Sequence, residues 1–319
     1  MVIWNLKIKD GKGFIKEYYD NGKLKFEGEY LSGKRNGKGK QYYNNGKLKF
    51  EGEYLNGKRW SGKGYNINGK IDYEIKDGKG YIKEYEDYQG KLFFEGEYIN
   101  GKRNGKGKEY DYDDELKFEG EYINGERNGK GKQYAHGKLE FEGEYINGKR
   151  NGKGKEYYYC GELNEGEYIN EERNGKGKEY YYNNGKLEFE GEYLNGKRWN
   201  GNGYNINGKI DYEIKDGKGY IKKYGFFDYN LIFEGEYING EINGKGKQYY
   251  KGKLKYEGEY INGKINGKGK DYNGFGDLEF EGEFLNGKRW NGKLKEYDFD
   301  GEIIFEGEYL NGKKIEKTQ

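Results

Sequence analysis

The stretch that decides the fold is Gly175-Lys-Gly-Lys-Glu-Tyr-Tyr-Tyr-Asn-Asn-Gly-Lys-Leu-Glu-Phe-Glu-Gly-Glu-Tyr-Leu-Asn-Gly-Lys-Arg198. From Leu187 to Tyr193 it alternates strictly. Leu187, Phe189, Gly191 and Tyr193 share one face, and Glu188, Glu190 and Glu192 share the other. Asn184-Gly185 precedes this strand and Asn195-Gly196 follows it. Asn-Gly is a strong hairpin signal because both residues tolerate positive φ. The partner strand is Gly177 to Tyr181. No helical period is sustained, and glycine at this density would break a helix. The unit therefore reads as a β-hairpin.

The unit recurs along the chain. The glycine of Glu-Gly-Glu falls at Gly28, Gly52, Gly96, Gly120, Gly143, Gly166, Gly191, Gly235, Gly258, Gly282 and Gly307, at steps of 23 to 25 with two gaps of 44. Each gap hides one degenerate copy, around Tyr73 and Tyr212. A period of this size marks a repeat array. A longer period lies above it, since Asn56–Tyr85 returns almost unchanged at Asn195–Tyr224, which points to a duplicated block.

Glycine weakens a strand, so its recurrence on the aromatic face needs a cause. An absent side chain lets a neighbouring ring lie flat on the backbone. The degenerate copies carry Leu6, Tyr73 and Tyr212 in place of that glycine. In the following strand Ile15, Ile82 and Ile221 replace the second glycine of Gly-Lys-Gly-Lys. The two positions change together, which places them opposite one another across the strand pair, Tyr73 against Ile82 around an Asp77-Gly78 turn. Leu294 is an exception, because Gly282 before it is unchanged. It lies in the last full unit, where a terminal repeat is expected to be atypical.

Composition alone points toward disorder: 319 residues, 36% charged, 32% hydrophobic, with a mean hydropathy of -1.34. The 18% aromatic content and the strict alternation argue the other way. Aliphatic residues are too few for a large globular core. A thin repetitive sheet, each unit buried against its neighbours, reconciles these facts. The expected architecture is all-β: an elongated single-layer antiparallel β-meander of about 13 tandem hairpins. At about 4.8 Å per strand it would run on the order of 120 Å before twist. The array spans 1–312 as one domain, followed by a charged tail, 313–319. Trp4 stands in the Phe slot of an initial half-unit.

Charge is nearly balanced, 59 Lys and Arg against 57 Asp and Glu, and the signs interleave. No nucleic-acid groove is expected, since that needs clustering of one sign. The polar face reads as solvated, with cross-strand Lys–Glu pairs. Cys160 is the lone cysteine, so no internal disulfide forms, and an intracellular, cytoplasmic or membrane-peripheral setting is expected. No stretch is apolar enough to span a bilayer as a helix. Proline is absent, so the terminal strands must be blunted by charge or pair with a second copy, giving a homodimer.

The chemistry-bearing residues read as structural. The Glu190/Glu192 pair recurs in every regular unit near lysines. His136 sits at a turn, and the only serines, Ser32 and Ser61, lie in loops, which leaves no Ser-His-Asp triad. One His and one Cys do not make a zinc site. Gly64 to Ile71 has the spacing of a phosphate loop until Ile71 replaces its Ser or Thr, and no helix follows. No enzyme activity, cofactor or metal is expected. Trp60, Trp199 and Trp290 follow Arg59, Arg198 and Arg289 in three loops, in place of the usual Asn. These six residues are the candidate partner contacts, because exposed Trp and Arg are favoured anchors. The competing reading is that each Trp caps the edge of the aromatic stripe.

The units Phe-Glu-Gly-Glu-Tyr, Asn-Gly-Lys-Arg-Asn-Gly and Gly-Lys-Gly-Lys resemble MORN repeats over nearly the whole chain, most closely the MORN-variant type with its Asn-Gly-Lys-Leu step. The copies at Tyr73 and Tyr212 depart from the pattern. The resemblance implies an aromatic-lined groove and a scaffold, membrane-contact or dimerisation role, and some bacterial members are antitoxin components. The resulting expectation is a non-enzymatic scaffold for protein–protein interaction. Its alternatives are a peripheral adaptor on anionic lipid and an inhibitor of one protein partner.

Overall fold

The computed structural model describes residues 7–9, 11–158, 161–182, 184–225 and 228–316. Trp4, Leu6, Cys160 and the last three residues of the tail lie outside them. The described chain is all-β, with 28 strands in two open antiparallel meanders, each strand followed in the sheet by the next in sequence. The tail enters the second sheet: Lys313–Glu316 is a strand, with Leu310 opposite Lys313 and Gly307 opposite Glu316. The chain divides into two compact units, residues 1–154 and 155–319.

The Asn-Gly turns after Glu-Gly-Glu-Tyr behave as expected. Asn195 and Gly196 have φ of 50° and 77°, the left-handed pair that a two-residue hairpin needs. The Asn184-Gly185 step does not make such a turn. There the loop runs from Tyr181 to Lys186, closed by the Tyr181 N–H donating to the Lys186 carbonyl at 2.8 Å, and of that dipeptide only Gly185 is left-handed.

Successive two-residue turns are tied in a ladder. The Gly57 N–H donates to the Arg35 carbonyl at 2.8 Å, Gly78 to Trp60 at 2.7 Å, and Gly101 to Gly78 at 2.9 Å. In the second unit Gly217 donates to Trp199 and Gly240 to Gly217. The degenerate copies are thus full members of the ladder. Their turns occupy one rung each, at Asp77-Gly78 and Asp216-Gly217.

The register places glycine opposite glycine. Gly28 faces Gly39, which faces Gly52, which faces Gly62, and the row continues through Gly96, Gly107, Gly120 and Gly131. Large side chains on or beside the row face glycine on a neighbouring strand: Ile15 faces Gly28, Ile82 faces Gly96, Ile221 faces Gly235, Tyr73 faces Gly64 and Tyr212 faces Gly203. Leu294 also faces a glycine, Gly307 in the strand that follows, with Phe280 on its other side.

Tyr73 and Ile82 break the rule, and there the ladder gives way. Between Ile71–Ile75 and Gly80–Tyr85 only the bridge between Lys76 and Lys79 remains, and the first sheet ends. In the second unit the corresponding pair of strands keeps two rungs, Ile214 with Gly219 and Lys215 with Lys218. The strands part where Tyr73 and Ile82 stand in line, and this parted hairpin makes a corner. Tyr73, Ile75 and Ile82 then pack with Phe26, Phe50 and Tyr54 into one core, with Tyr98 against it. Tyr212, Ile214 and Ile221 do the same with Phe189, Tyr193 and Phe233.

Candidate functional site

The inward face is built from one repeated sandwich. The Phe26 ring lies over the paired glycines, and a Cβ at Gly28 or Gly39 would come within 2.8 or 2.7 Å of its Cζ. On the other side of the ring the Arg35 guanidinium carbon sits 3.9 Å from the ring centroid. Tyr54 meets Phe26 edge-on, at 5.2 Å and 90°. Arg103 over Phe94 and Arg127 over Phe118 repeat the stack at 3.9 and 4.0 Å. The Phe rings are consequently closed off: Phe26, Phe50, Phe94, Phe118, Phe141 and Phe189 are all 0% exposed. The aromatic-lined groove implied by the family resemblance is filled by arginine and tyrosine and serves as the core.

Arg35, Arg103, Arg127, Arg198 and Arg289 each hold an acid two strands back, Arg59 holds Gln41 there, and Arg173 holds Glu179 on its own strand. Arg35 grips Glu17 with two bonds, at 3.1 Å from Nε and 2.7 Å from Nη2, and Arg103 grips Glu84 with two at 3.0 Å. Arg198 donates to Glu179 from Nε at 3.0 Å and to Glu188 from Nη2 at 2.8 Å. Burial works against the Glu179 charge, but the Arg198 and Arg173 guanidiniums outweigh it and hold the carboxyl down to about 2. Glu17 and Glu109 shift the same way despite burial, through Arg35 and Arg127. Where arginine is replaced by Ile242, the position two strands back is Lys223 rather than an acid.

Two expectations of strict alternation change here. Glu188, placed by the sequence on the polar face, is the extra residue of a bulge between Leu187, which faces Tyr180, and Phe189, which faces Glu179, and it turns toward Arg198. In the same slot Lys49 is buried, 7% exposed, with its Nζ 2.5 Å from Asp87. The arginine slot itself carried a signal the sequence reading passed over. Every arginine of this lysine-rich chain follows the same turn: Arg35, Arg59, Arg103, Arg127, Arg150, Arg173, Arg198 and Arg289. Only a planar guanidinium both stacks on a ring and forks onto a carboxylate.

The outward face is as the sequence implies. Lys40 pairs with Glu51 at 3.0 Å, Lys178 with Glu190 at 3.4 Å and Lys295 with Glu306 at 3.1 Å, all well exposed. Tyrosines reach it from the strand ends: Tyr42 donates to Glu27, and Tyr134 to Glu119, at 2.8 Å. Burial and the adjoining carboxylate push both hydroxyls up to about 12. Beside the turns stands a series of exposed aliphatics, among them Ile123, Ile146, Leu194, Ile261, Leu285 and Leu310.

The three tryptophans lie in strands rather than in loops, each as the single extra residue of a bulge. Tyr54 faces Arg59 and Glu53 faces Ser61, which leaves Trp60 between them, and Trp199 and Trp290 repeat this. Their rings lie on the glycine of the next turn: Trp60 on Gly78, Trp199 on Gly217 and Trp290 on Gly312. All three are half-buried. Arg59 donates to the Gln41 side chain at 2.8 Å and to the Tyr73 hydroxyl, and Arg289 donates to Asp271 at 2.6 Å and to Glu279 at 2.5 Å. All six candidate contact residues therefore have partners within the chain. His136 sits in a left-handed turn position, φ 49°, and Gly64 to Ile71 is a plain hairpin between two strands. Among the described residues no three His, Cys, Asp or Glu side chains are grouped to hold a metal ion.

Eight segments match the MORN repeat family: 26–47, 94–114, 118–135, 141–161, 165–186, 233–253, 256–270 and 280–290. These eight segments carry the MORN repeat. Six of the matched MORN segments begin at the Phe that lies on the glycine row, the other two at Glu165 and Tyr256, and none enters 48–93 or 187–232, two stretches that hold a Trp bulge and a corner. No curated protein sequence matches the chain. Among solved structures, the crystal structures of TcdB2-TccC3 and of TcdB2-TccC3 without its hypervariable C-terminal region match at 10% and 11% identity. Their TM-scores are 0.20 and 0.21; the matches cover 95% of this chain but 18% and 17% of those chains. Likeness at that level carries no functional argument.

Proposed function

We propose that this chain is a non-enzymatic scaffold that brings proteins together through its outward faces. The supporting observation is the division of labour between the two faces of each repeat. The inward face is spent on the core, with phenylalanines at 0% exposure under arginine–carboxylate pairs. The outward face is a regular field of Lys, Glu and Tyr, bordered by exposed Leu and Ile beside the turns. A surface fixed from below by packing loses little freedom on binding, which favours recognition over chemistry. The MORN repeat is a non-enzymatic repeat, and the paired carboxylates are engaged by lysine and tyrosine rather than set up for proton transfer.

The test is affinity capture of the tagged chain from its own cells, followed by native mass spectrometry of the eluate. The scaffold reading expects a protein partner at fixed stoichiometry. Enrichment of anionic lipid with no stoichiometric protein would overturn it in favour of a membrane adaptor.

A further inference from the structure

One Asn-Gly step of the second unit differs from the rest. At every other Asn-Gly turn or loop among the described residues, the glycine N–H is bonded to a backbone carbonyl. In the two-residue turns it joins the ladder, as Gly57 does to Arg35 and Gly287 to Ile265, both at 2.8 Å. In the longer loops it closes back on its own loop, as Gly46 does to Tyr43 at 2.8 Å and Gly69 to Asn66 at 2.9 Å. The remaining Asn-Gly steps lie inside strands with a neighbour on both sides. Asn273-Gly274 stands apart: among the described residues none accepts the Gly274 N–H.

The Asn273 side chain is arranged for attack by that nitrogen. Its Oδ1 accepts the backbone N–H groups of Phe275, Gly276 and Asp277, each at 2.9 Å. Three donors on one carbonyl oxygen draw charge from Cγ and stabilise the negative oxygen that forms when a nucleophile adds there. Its Nδ2 donates to the Asp277 carboxylate at 3.1 Å, which places an acid–base group beside the departing nitrogen. Gly274 is exposed, and a Cβ on it would meet nothing within 4 Å, so water reaches the step freely. Asn66 and Asn205 share the cradle, each accepting from the residues two and four further on, but Ile67 and Ile206 follow them. A β-branched side chain is stiff and crowds its own backbone nitrogen. Among the described residues the open glycine nitrogen and the cradle meet at Asn273.

We propose that Asn273 is a site of self-catalysed deamidation. The Gly274 backbone nitrogen gives its proton to hydroxide and bonds to Asn273 Cγ. The Cγ–Nδ2 bond breaks, and that nitrogen takes up a proton and leaves as ammonia. Water opens the remaining five-membered imide at either carbonyl, which yields an aspartyl or isoaspartyl residue at position 273. The product sets a new carboxylate against Asp277 where a hydrogen bond stood, and so loosens the loop that carries the exposed Phe275. The proposal stands apart from the scaffold reading and does not depend on it.

It is tested by holding the full chain in mildly alkaline buffer and mapping aspartyl and isoaspartyl products at each Asn-Gly step by mass spectrometry. Asn273 should convert at least tenfold faster than any other Asn-Gly step of the folded chain. In urea, where ladder and cradle are lost, the rates at all Asn-Gly steps should come together. Gly274→Ala should slow conversion tenfold or more without moving the melting temperature, and Asp277→Asn should slow it severalfold. Conversion at Asn273 no faster than at the turn asparagines, the same preference in urea as in the fold, or unchanged conversion in either variant overturns the proposal.

Discussion

Leu294 stands directly opposite Gly307, and at the two equivalent places in the chain the sizes are reversed, with Gly64 opposite Tyr73 and Gly203 opposite Tyr212. The pairs fill one volume in two ways. Leu294 is 1% exposed and Tyr73 and Tyr212 are each 7% exposed. A Cβ added to Gly64 would overlap the Tyr73 ring. Gly64→Leu should therefore destabilise the first unit by about 3 kcal/mol or more, through overpacking in a closed core. Gly64→Leu with Tyr73→Gly, which copies the Leu294–Gly307 arrangement, should recover at least half of that loss. Urea unfolding followed by tryptophan fluorescence reads the difference, and additive effects of the two changes would refute the exchange.

The two faces should respond differently to loss of a cation. Arg35→Met leaves Glu17 half-buried without its fork, and a broken buried pair costs roughly 3–5 kcal/mol. Lys40→Met removes an exposed partner of Glu51, worth about 0–1 kcal/mol. Pairing Arg35→Met with Glu17→Gln should restore part of the first loss. Equal costs for Arg35 and Lys40 in denaturant titrations would show that the inward arginines are not part of the core.

The tryptophans make a local prediction. Gly57 and Gly78 are both left-handed turn glycines, with φ of 85° and 71°. A Cβ at Gly57 meets nothing within 4 Å, whereas one at Gly78 comes 2.7 Å from the Trp60 ring. Alanine at either position bears the backbone strain, roughly 1 kcal/mol or somewhat more. Only Gly78→Ala also displaces Trp60, so it should cost about 1 kcal/mol more and shift the tryptophan emission. Identical costs and spectra would remove Trp60 from the corner.

Acid should loosen the second unit through Glu179. Its carboxyl is held down to about 2 in the fold, against 4.5 for the free side chain. A depressed carboxylate contributes stability that is complete above the unfolded value and is lost as pH falls through the folded one. Melting temperature should therefore fall between about pH 4.5 and pH 2, and less steeply in Glu179→Gln. At the other extreme, Tyr42 and Tyr134, pushed up to about 12 from 10, contribute stability that is present below pH 10 and lost as pH rises toward 12. A melting temperature flat across the acid range would contradict the role given to Glu179.

Much of this was legible in the residues themselves. Asn195-Gly196 and the alternation from Leu187 to Tyr193 state the hairpin, and the joint change at Tyr73 and Ile82 states which residues stand in line. The sequence pattern does not say what two large residues in line do to the ladder, because pairing and parting leave the same pattern. Nor does alternation survive a bulge: Glu188 and Lys49 swing inward because one extra residue on their strand breaks the period of two. The arginine sandwich was readable, since arginine occupies a single slot in a chain that otherwise uses lysine. Leu294 looked like an end effect because its partner was sought upstream at Gly282 rather than downstream at Gly307.

The central claim is that recognition belongs to the outward face while the inward face is core. The most direct measurement is the retention of the captured partner by two folded variants, Ile123→Ser/Ile146→Ser among the exposed aliphatics beside the turns and Phe118→Leu on the inward face, each compared with the unaltered chain at matched concentration. The account predicts that the Ile123/Ile146 variant keeps its melting temperature and weakens partner retention, while Phe118→Leu lowers the melting temperature and keeps the partner in proportion to its folded fraction. Loss of the partner in the folded Phe118→Leu protein, with full retention by the Ile123/Ile146 variant, would contradict it.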